Sequence, residues 1–216
     1  MPTGTADNTM AVPPNTHLID YLGITIYRYT HPSIKKIKRK HSSHTAHGNK
    51  IWLSSYVLMD YLSTYPPESE SKILDVGCGW GLISIFLAKN YGVEVTAIDI
   101  DQNVEPYLDL HASANDCNIE FQTKGFETLS NEELAHYSSI VAADICFWDE
   151  MVQPLFNFIT RARRCGLKTI YISDPGRPPF WELCDLCTAA FGAEIVTRRI
   201  YEPTQTEKFI LAISIK

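Results

Sequence analysis

No run of about 18 consecutive apolar residues occurs in this chain of 216 residues, which argues against a transmembrane helix. The first 15 residues lack the basic-then-apolar order of a secretory signal, and they predict a short disordered leader on a cytoplasmic protein. Apolar residues make up 45% and charged residues 20% of the chain, a balance that excludes a mainly disordered or collagen-like protein. The length favours a single domain with a substantial core.

Acidic residues are missing between positions 21 and 59, where seven basic residues occur. The whole chain has 19 basic and 25 acidic residues, so the rest of it has 12 basic and 25 acidic ones. We expect residues 16–50 to form an N-terminal basic arm ahead of a domain over residues 51–216. The arm could bind nucleic acid or an acidic protein, or it could be a solvated linker or helix face. The acidic remainder argues against nucleic acid as the main partner.

The six cysteines show no spacing typical of a zinc site, because Cys184-x-x-Cys187 has no second pair. His41, His44 and His47 have a suggestive spacing, but no cysteine or carboxylate lies near them in the sequence. The sequence therefore predicts structural thiols in a reducing compartment and no metal site.

Short apolar runs alternate with helical patterns from residue 51 onward, after two β-rich pieces at 17–22 and 24–29. Strands are predicted at 72–76, 93–98, 119–123, 139–143, 169–173, 195–201 and 209–215, with helices between the first six. Gly92 and Gly192 are predicted helix stops. This alternation predicts an α/β fold with a doubly wound, mostly parallel seven-stranded sheet. The last two strands are joined by a short link, so one C-terminal strand should be antiparallel.

A glycine-rich turn joins the first of these strands to a helix, in the segment Ile73-Leu74-Asp75-Val76-Gly77-Cys78-Gly79-Trp80-Gly81. Glycines allow positive φ angles and let the backbone approach a ligand closely. Asp99 ends the next strand, 18 residues after Gly81, where a carboxylate can accept hydrogen bonds from ribose hydroxyls. The pattern predicts a nucleotide-type cofactor at the carboxyl ends of the strands.

The spacing of the glycines separates two cofactor classes. A dinucleotide site requires Gly-x-Gly-x-x-Gly, whereas this turn reads Gly-x-Gly-x-Gly. Asp75, just before the turn, would repel a pyrophosphate and attract the ammonium group of a positively charged sulfonium ligand. Both features disfavour an NAD-dependent oxidoreductase.

The segment from Leu74 to Gly81 closely resembles motif I of the class I S-adenosylmethionine-dependent methyltransferases. The resemblance implies the Rossmann-like fold of that group, with S-adenosylmethionine as cofactor and with two antiparallel strands closing the sheet. It implies cofactor contacts from a set of residues at the strand ends: Asp75 at the amino group, Gly77, Gly79 and Gly81 under the methionine and ribose, Asp99 at the ribose hydroxyls, Ile100 at the adenine face, and Gly125 and Phe126 at the adenine edge. Phe126 could equally be a core aromatic residue, and a cofactor-binding protein without turnover stays an alternative.

The end of the fourth strand reads Asp144-Ile145-Cys146-Phe147-Trp148, and its acidic-x-x-Phe spacing resembles the seven-strand protein lysine methyltransferases. That family includes the enzymes that act on the β-subunit of electron-transfer flavoprotein. Two further pieces resemble it, namely Gly48-Asn49-Lys50-Ile51-Trp52 and Asp174-Pro175-Gly176-Arg177. The resemblance implies catalytic roles for Asp144, Phe147 and Trp148, with Trp52 and Asp144 also beside the cofactor, and a protein substrate.

Alternatives to this assignment follow from the same residues. Asp144 could cap a helix, the aromatic residues could be core, and the site could equally methylate a nitrogen or oxygen of a small molecule. The segment Arg177-Pro178-Pro179-Phe180 looks like the motif of adenine and glutamine-amide methyltransferases. That motif requires an amide or carboxylate first and belongs after the fourth strand, so we reject it. We expect no nucleic-acid or membrane partner, and the oligomeric state is open.

Overall fold

The computed structural model describes residues 17–40, 48 and 50–214. The predicted leader lies outside these residues, as do His41, His44, His47 and Asn49. The boundaries of the basic arm and of the domain stay predictions. None of the helices in these ranges is long and apolar enough to cross a membrane.

Within the described ranges the chain forms nine strands and seven α-helices. The strands are β1 (Leu18–Tyr21), β2 (Ile24–Tyr27), β3 (Lys72–Val76), β4 (Glu94–Asp99), β5 (Glu120–Thr123), β6 (Ser139–Ala143), β7 (Thr169–Asp174), β8 (Glu194–Ile200) and β9 (Thr206–Ser214). The helices are α1 (Pro32–Lys40), α2 (Leu53–Thr64), α3 (Leu82–Tyr91), α4 (Glu105–Ala114), α5 (Asn131–Leu134), α6 (Val152–Arg164) and α7 (Pro178–Phe191).

Seven strands form one sheet in the order β5-β4-β3-β6-β7-β9-β8. The first five run parallel, and β9 is antiparallel to both of its neighbours, β7 and β8. The predicted α/β class, with a mostly parallel sheet and an antiparallel C-terminal strand, is confirmed. From β3 the chain adds β4 and β5 on one side of the sheet, and it then adds β6 and β7 on the other side. The carboxyl ends of β3, β4 and β6 therefore surround a crevice at this switch point.

The central strands are buried on both sides because helices cover both faces of the sheet. One apolar cluster contains side chains of α2, α3 and α4, including Leu58, Ile85 and Leu108. The second contains side chains of α6 and α7, including Ile159 and Leu183. The predicted stop at Gly92 is also confirmed, since it ends α3 in the left-handed conformation at φ 65°.

The basic segment forms a helix, α1, that the sequence analysis did not predict as a separate element. Ile34 is fully buried and Ile37 is partly buried against the first cluster, which anchors one face of α1. The basic side chains of α1 lie on the exposed face: Lys35, Lys36, Lys38, Arg39 and Lys40. Two apolar positions in a run of lysines are too few to give a clear helical period, which explains the omission.

Helix α4 and the residue after it hold the β1–β2 hairpin through buried polar side chains. The amide of Asn115 both accepts from the backbone N–H of Thr25 and donates to its carbonyl, each at 2.8 Å. His111 Nε2 accepts from the N–H of Tyr27 at 3.1 Å, and Nδ1 lies 2.7 Å from the carbonyl of Tyr107. The ring is therefore neutral, with its proton on Nδ1, and burial lowers the pKa of His111 to about 4.

The buried His111 predicts a loss of stability in mild acid. Its pKa lies near 6.5 in the unfolded chain, so the unfolded state binds a proton first as the pH falls, and stability decreases between about pH 6.5 and pH 4. Between pH 7.5 and pH 5 this group alone should cost about 2 kcal/mol. Chemical denaturation of wild type and His111→Gln at the two pH values measures this cost, since glutamine can still accept from Tyr27.

The matched control is His136→Gln, at an exposed histidine, which should reproduce the wild-type pH dependence. An equal fall in stability for wild type and His111→Gln between the two pH values would contradict the prediction.

Candidate active site

The turn between β3 and α3 is shaped by three glycines with positive φ angles, Gly77 at 67°, Gly79 at 54° and Gly81 at 74°. The N–H groups of Gly77 and Cys78 donate to the carbonyl of Ile98 at 2.9 and 3.0 Å, which ties the turn to β4. A Cβ at Gly79 would meet no atom within 4 Å. The turn is therefore fixed at its start and faces open space at Gly79, where a ligand can approach the backbone.

Asp99, at the end of β4, binds this turn through its carboxylate. Oδ2 accepts from the N–H of Gly79 at 3.0 Å, and Oδ1 accepts from the N–H of Asp101 at 2.9 Å. Burial raises the pKa of Asp99, and these backbone hydrogen bonds oppose the increase. Each carboxylate oxygen has further acceptor capacity, so the carboxylate can also receive hydroxyl donors from a ligand.

A cavity of about 490 Å³ lies in the crevice above Gly79 and Asp99. It is lined by Gly48, Trp52, Val76, Gly77, Gly79, Asp99, Ile100, Asp101, Lys124, Gly125, Phe126, Ala143, Asp144, Ile145, Phe147, Trp148 and Met151. Its size is typical of small-molecule and cofactor sites. These residues come from the carboxyl ends of β3, β4, β5 and β6 and from the segment before α2, as the topology requires.

Ten of the twelve residues predicted for the site line this cavity: Trp52, Gly77, Gly79, Asp99, Ile100, Gly125, Phe126, Asp144, Phe147 and Trp148. Ile100 is 81% exposed, which is unusual for an apolar side chain and suits a residue that covers a ligand face. Phe126 lines the cavity and also packs against Phe158, at 5.2 Å between ring centroids. The cofactor contacts of these residues stay predictions.

Asp75 and Gly81 are the two exceptions, because the structure places them outside the cavity lining. A Cβ at Gly81 would lie 2.7 Å from Cγ of Leu108, so Gly81 packs against α4 instead of facing the cavity. Asp75 is 1% exposed, and its Oδ2 accepts from Ser84 Oγ at 2.6 Å. Its Oδ1 has no partner among the described residues, and burial raises the pKa of this carboxyl group to about 7.

The segment before α2 is held against the glycine turn by Trp80. Its indole Nε1 donates to the carbonyl of Gly48 at 3.0 Å, and its ring stacks on Tyr107 at 4.6 Å between centroids. This contact puts Gly48 and Trp52 at the cavity, beside the end of β6. The sequence analysis quoted Trp80 within the glycine-rich segment, gave it no role and missed this positioning contact.

At the end of β6, Asp144 has a left-handed backbone with φ 56°, and its side chain is only 3% exposed. Its Oδ1 lies 2.8 Å from Nη1 of Arg177, while its Oδ2 is buried and has no partner among the described residues. The ring of Phe147 lies 5.3 Å from that of Trp52 and 5.5 Å from that of Trp148. A buried carboxylate therefore lies in the same cavity lining as a group of aromatic rings.

Cations already lie against these rings. Nζ of Lys50 is 3.7 Å from the centroid of Trp52, and Cζ of Arg177 is 4.3 Å from that of Phe147. The sequence analysis quoted Arg177 in two motifs and gave it no role in the site. Its pairing with Asp144 joins residues 33 positions apart, and only the adjacency of β6 and β7 brings them together.

Comparison with known proteins identifies the domain that contains this cavity. Residues 73–166 match a family profile described as a methyltransferase domain. In the structure these residues run from β3 to the end of α6 and include most of the cavity lining. This segment is therefore similar to methyltransferase domains, and the fold around it is the Rossmann-like methyltransferase fold.

Curated relatives of this methyltransferase domain include two named ubiquinone biosynthesis O-methyltransferase. The one from Xylella fastidiosa is 29% identical over 157 residues, which are 70% of this chain and 59% of that protein. The one from Xanthomonas campestris is 27% identical over 155 residues, which are 70% of this chain and 61% of that protein. The chain thus matches about three fifths of the length of these relatives.

Solved structures share the methyltransferase fold at low sequence identity. The crystal structure of an S-adenosylmethionine-dependent methyltransferase from Agrobacterium tumefaciens aligns with a TM-score of 0.64 at 13% identity, covering 92% of this chain and 70% of that one. A human methyltransferase 10 domain containing protein aligns with a TM-score of 0.54 at 11% identity, covering 85% and 95%. These likenesses concern the fold.

S-adenosylmethionine is the cofactor of this domain class, and the residues present fit it. The open face at Gly79 leaves room against the backbone, Asp99 offers a carboxylate to hydroxyl groups, and the exposed Ile100 offers an apolar surface. The segment from Arg177 to Phe180, which looks like the motif of adenine and glutamine-amide methyltransferases, forms the start of α7 after β7. This position supports the rejection of that motif.

We predict that Asp99→Ala abolishes cofactor binding. The substitution removes the carboxylate that we predict to accept from the ribose hydroxyls, and it releases the N–H of Gly79. Hydrogen bonds to a charged group contribute about 1.5–3 kcal/mol each, so the affinity should fall at least about 100-fold. Isothermal titration with S-adenosylhomocysteine measures the change.

Asp109→Ala, at an exposed aspartate on α4, is the matched control and should bind like wild type. Unchanged affinity in Asp99→Ala would show that the cofactor does not use this carboxylate. Binding of NADH in place of S-adenosylhomocysteine by the wild-type protein would contradict the cofactor assignment itself.

Proposed function

We propose that this protein transfers a methyl group from S-adenosylmethionine to a side-chain nitrogen of a protein substrate, the amine of a lysine. The observation that carries the proposal is the buried Oδ2 of Asp144, which has no partner among the described residues and belongs to a side chain that lines the cavity with Phe147 and Trp148. The resemblance of this segment to protein lysine methyltransferases agrees with it.

The formal charges around Asp144 favour a cationic acceptor. Asp144 and Asp174 are both buried, and the guanidinium of Arg177 contacts both carboxylates. Two carboxylates and one guanidinium leave one formal negative charge, which an ammonium group can balance. A buried charge without a partner is costly, so the site gains most from a ligand that brings a positive charge.

The aromatic rings complete an amine-binding wall. Ring faces attract cations, and Trp52 and Phe147 already lie against the side chains of Lys50 and Arg177. Trp148 is 53% exposed at the cavity, where it can cover the alkyl stem of an incoming lysine. The methylated product keeps its positive charge, which the ring of Trp148 at the cavity can stabilise.

When bound, S-adenosylmethionine supplies a methyl group on a positively charged sulfur. The carboxylate of Asp144 accepts a hydrogen bond from the amine and points the nitrogen lone pair toward that methyl carbon. In the transfer the nitrogen–carbon bond would form as the carbon–sulfur bond breaks, and the extra proton would leave the nitrogen for water. An unperturbed lysine has a pKa near 10.4, so the site must receive the neutral amine or remove its proton first. Positioning of this kind supplies much of the rate increase.

The second candidate is methylation of a small-molecule oxygen. It is favoured by the curated relatives, which are named ubiquinone biosynthesis O-methyltransferase. In that reaction Asp144 would accept the proton of a hydroxyl group, and Ile100 and Trp148 would contact an apolar ring. Incubation with tritiated S-adenosylmethionine and a cell extract separates the two, because label in protein supports the first function and label only in small molecules supports the second.

We predict that Asp144→Asn keeps S-adenosylhomocysteine affinity within about threefold, whereas methyl transfer falls at least about 100-fold, a loss of about 2.7 kcal/mol in transition-state stabilisation. Asparagine has the same shape and tolerates the left-handed backbone at this position, so the substitution removes only the charge. Titration and the rate of label transfer to protein give the two quantities.

Glu150→Gln serves as the control, since it neutralises an exposed acid six residues away and should leave both quantities unchanged. Transfer at the wild-type rate by Asp144→Asn would remove Asp144 from the mechanism.

A further inference from the structure

Arg177 lies between two buried carboxylates at the ends of neighbouring parallel strands. Its Nη1 is 2.5 Å from Oδ2 of Asp174, which ends β7, and 2.8 Å from Oδ1 of Asp144, which follows β6. Arg177 does not itself line the cavity, and its side chain is only 20% exposed. Any effect on a ligand in the cavity must therefore act through the groups that Arg177 contacts.

The position of the guanidinium is set by a rigid turn. Asp174 Oδ1 accepts from the N–H groups of Gly176 and Arg177 at 2.8 and 2.9 Å, which closes the turn after β7. Gly176 has φ 94°, and a Cβ there would lie 2.8 Å from the ring of Phe209, so only glycine fits. Oδ1 of Asp174 thus fixes the backbone of Arg177, while Oδ2 fixes its side chain.

The same guanidinium determines how Asp144 faces the cavity. It binds Oδ1 of Asp144, whereas Oδ2 has no partner in the part of the chain that the structure describes, and the guanidinium Cζ lies 4.3 Å from the ring centroid of Phe147. The backbone of Asp144 is in the left-handed region, which costs free energy for a residue other than glycine and requires support from its surroundings. Arg177 is the charged group that supplies this support.

We propose that Arg177 is a positioning residue for methyl transfer. Its guanidinium, which is itself bound by Asp174, holds Asp144 and Phe147 so that Oδ2 of Asp144 is directed to the acceptor nitrogen. The inference rests on the proposed function, in which Asp144 contacts the acceptor. It goes beyond that function because it assigns the geometry of the acceptor side to a residue that touches neither acceptor nor cofactor.

The contacts require a guanidinium rather than any positive charge. A planar guanidinium can donate to two carboxylates in its plane while its face packs on an aromatic ring. A lysine ammonium at the same place is a point charge with no face to pack on Phe147. Arg177→Lys should therefore recover part of the activity that Arg177→Ala loses.

Chemical rescue tests the proposal. In the assay with tritiated cofactor and extract protein, we expect Arg177→Ala to transfer methyl at least about 30-fold more slowly while S-adenosylhomocysteine affinity stays within about threefold. Guanidinium chloride at about 50 mM should raise the rate of Arg177→Ala at least about fivefold, whereas equal concentrations of sodium or methylammonium chloride should not. At this concentration the denaturant reduces stability by only a few tenths of a kcal/mol.

The matched control is Arg164→Ala, at an exposed arginine at the end of α6, which should be fully active and unaffected by guanidinium. Should Arg177→Ala fail to fold, Arg177→Lys and Asp174→Asn carry the test, and both must lose rate while they keep cofactor affinity.

Two results would overturn the proposal: wild-type activity in Arg177→Ala, or a parallel loss of rate and cofactor affinity with no rescue, which indicates a structural role only. These results are distinct from a failure of the proposed function, which would show as absence of label from protein in the wild-type reaction.

Discussion

The parallel register of β3, β4, β6 and β7 is the constraint on which the rest of the structure depends. Parallel strands end at the same edge of the sheet, so the loops that follow them must meet. The chain reverses its direction of winding between β3 and β6, and the loops separate there to leave the cavity. Side chains far apart in the sequence, such as Asp99 and Asp144, face one space for this reason alone.

The same register concentrates buried acidic groups. Asp75, Asp99, Asp144 and Asp174 lie at or next to the ends of four adjacent strands, and among the described residues one cation, Arg177, pairs with members of this set. Burial raises the pKa of three of the four carboxyl groups, those of Asp75 (to about 7), Asp99 and Asp174. A cationic ligand relieves this accumulated charge. S-adenosylmethionine carries two positive charges, at its sulfur and its amino group, and an alkyl ammonium carries one.

The sequence was most informative where the relevant interactions are local. The glycine turn, the strand before it and Asp99 lie within 27 residues, and their pattern predicted both the turn and the class of cofactor. The alternation of strands and helices predicted the sheet, including the reversed strand at its end. In these cases the backbone conformation depends on residues that the pattern itself contains.

Contacts between distant segments could not be predicted in the same way. The hairpin is bound by Asn115 across 90 positions, and Arg177 reaches Asp144 from the next strand. Nothing in the sequence near either residue specifies its partner, because the partner is determined by strand order. Asp75 shows that a place in a motif does not specify the partner of a side chain. It stands at the expected place in the motif, yet its side chain is directed to Ser84 between sheet and helix, outside the cavity lining.

The two halves of the cavity are held together by different kinds of interaction, which has consequences for specificity. The cofactor half depends on backbone groups: Gly79 donates to Asp99, and the turn at Gly77 donates to the carbonyl of Ile98. The acceptor half depends on side chains, namely the guanidinium of Arg177 and the rings of Trp52 and Phe147. Backbone hydrogen bonds survive most side-chain substitutions, whereas a guanidinium between two carboxylates does not. The side of the cavity that we propose for the acceptor can therefore change through a few substitutions while the glycine turn stays intact, and the same fold is compatible with both of the proposed acceptors.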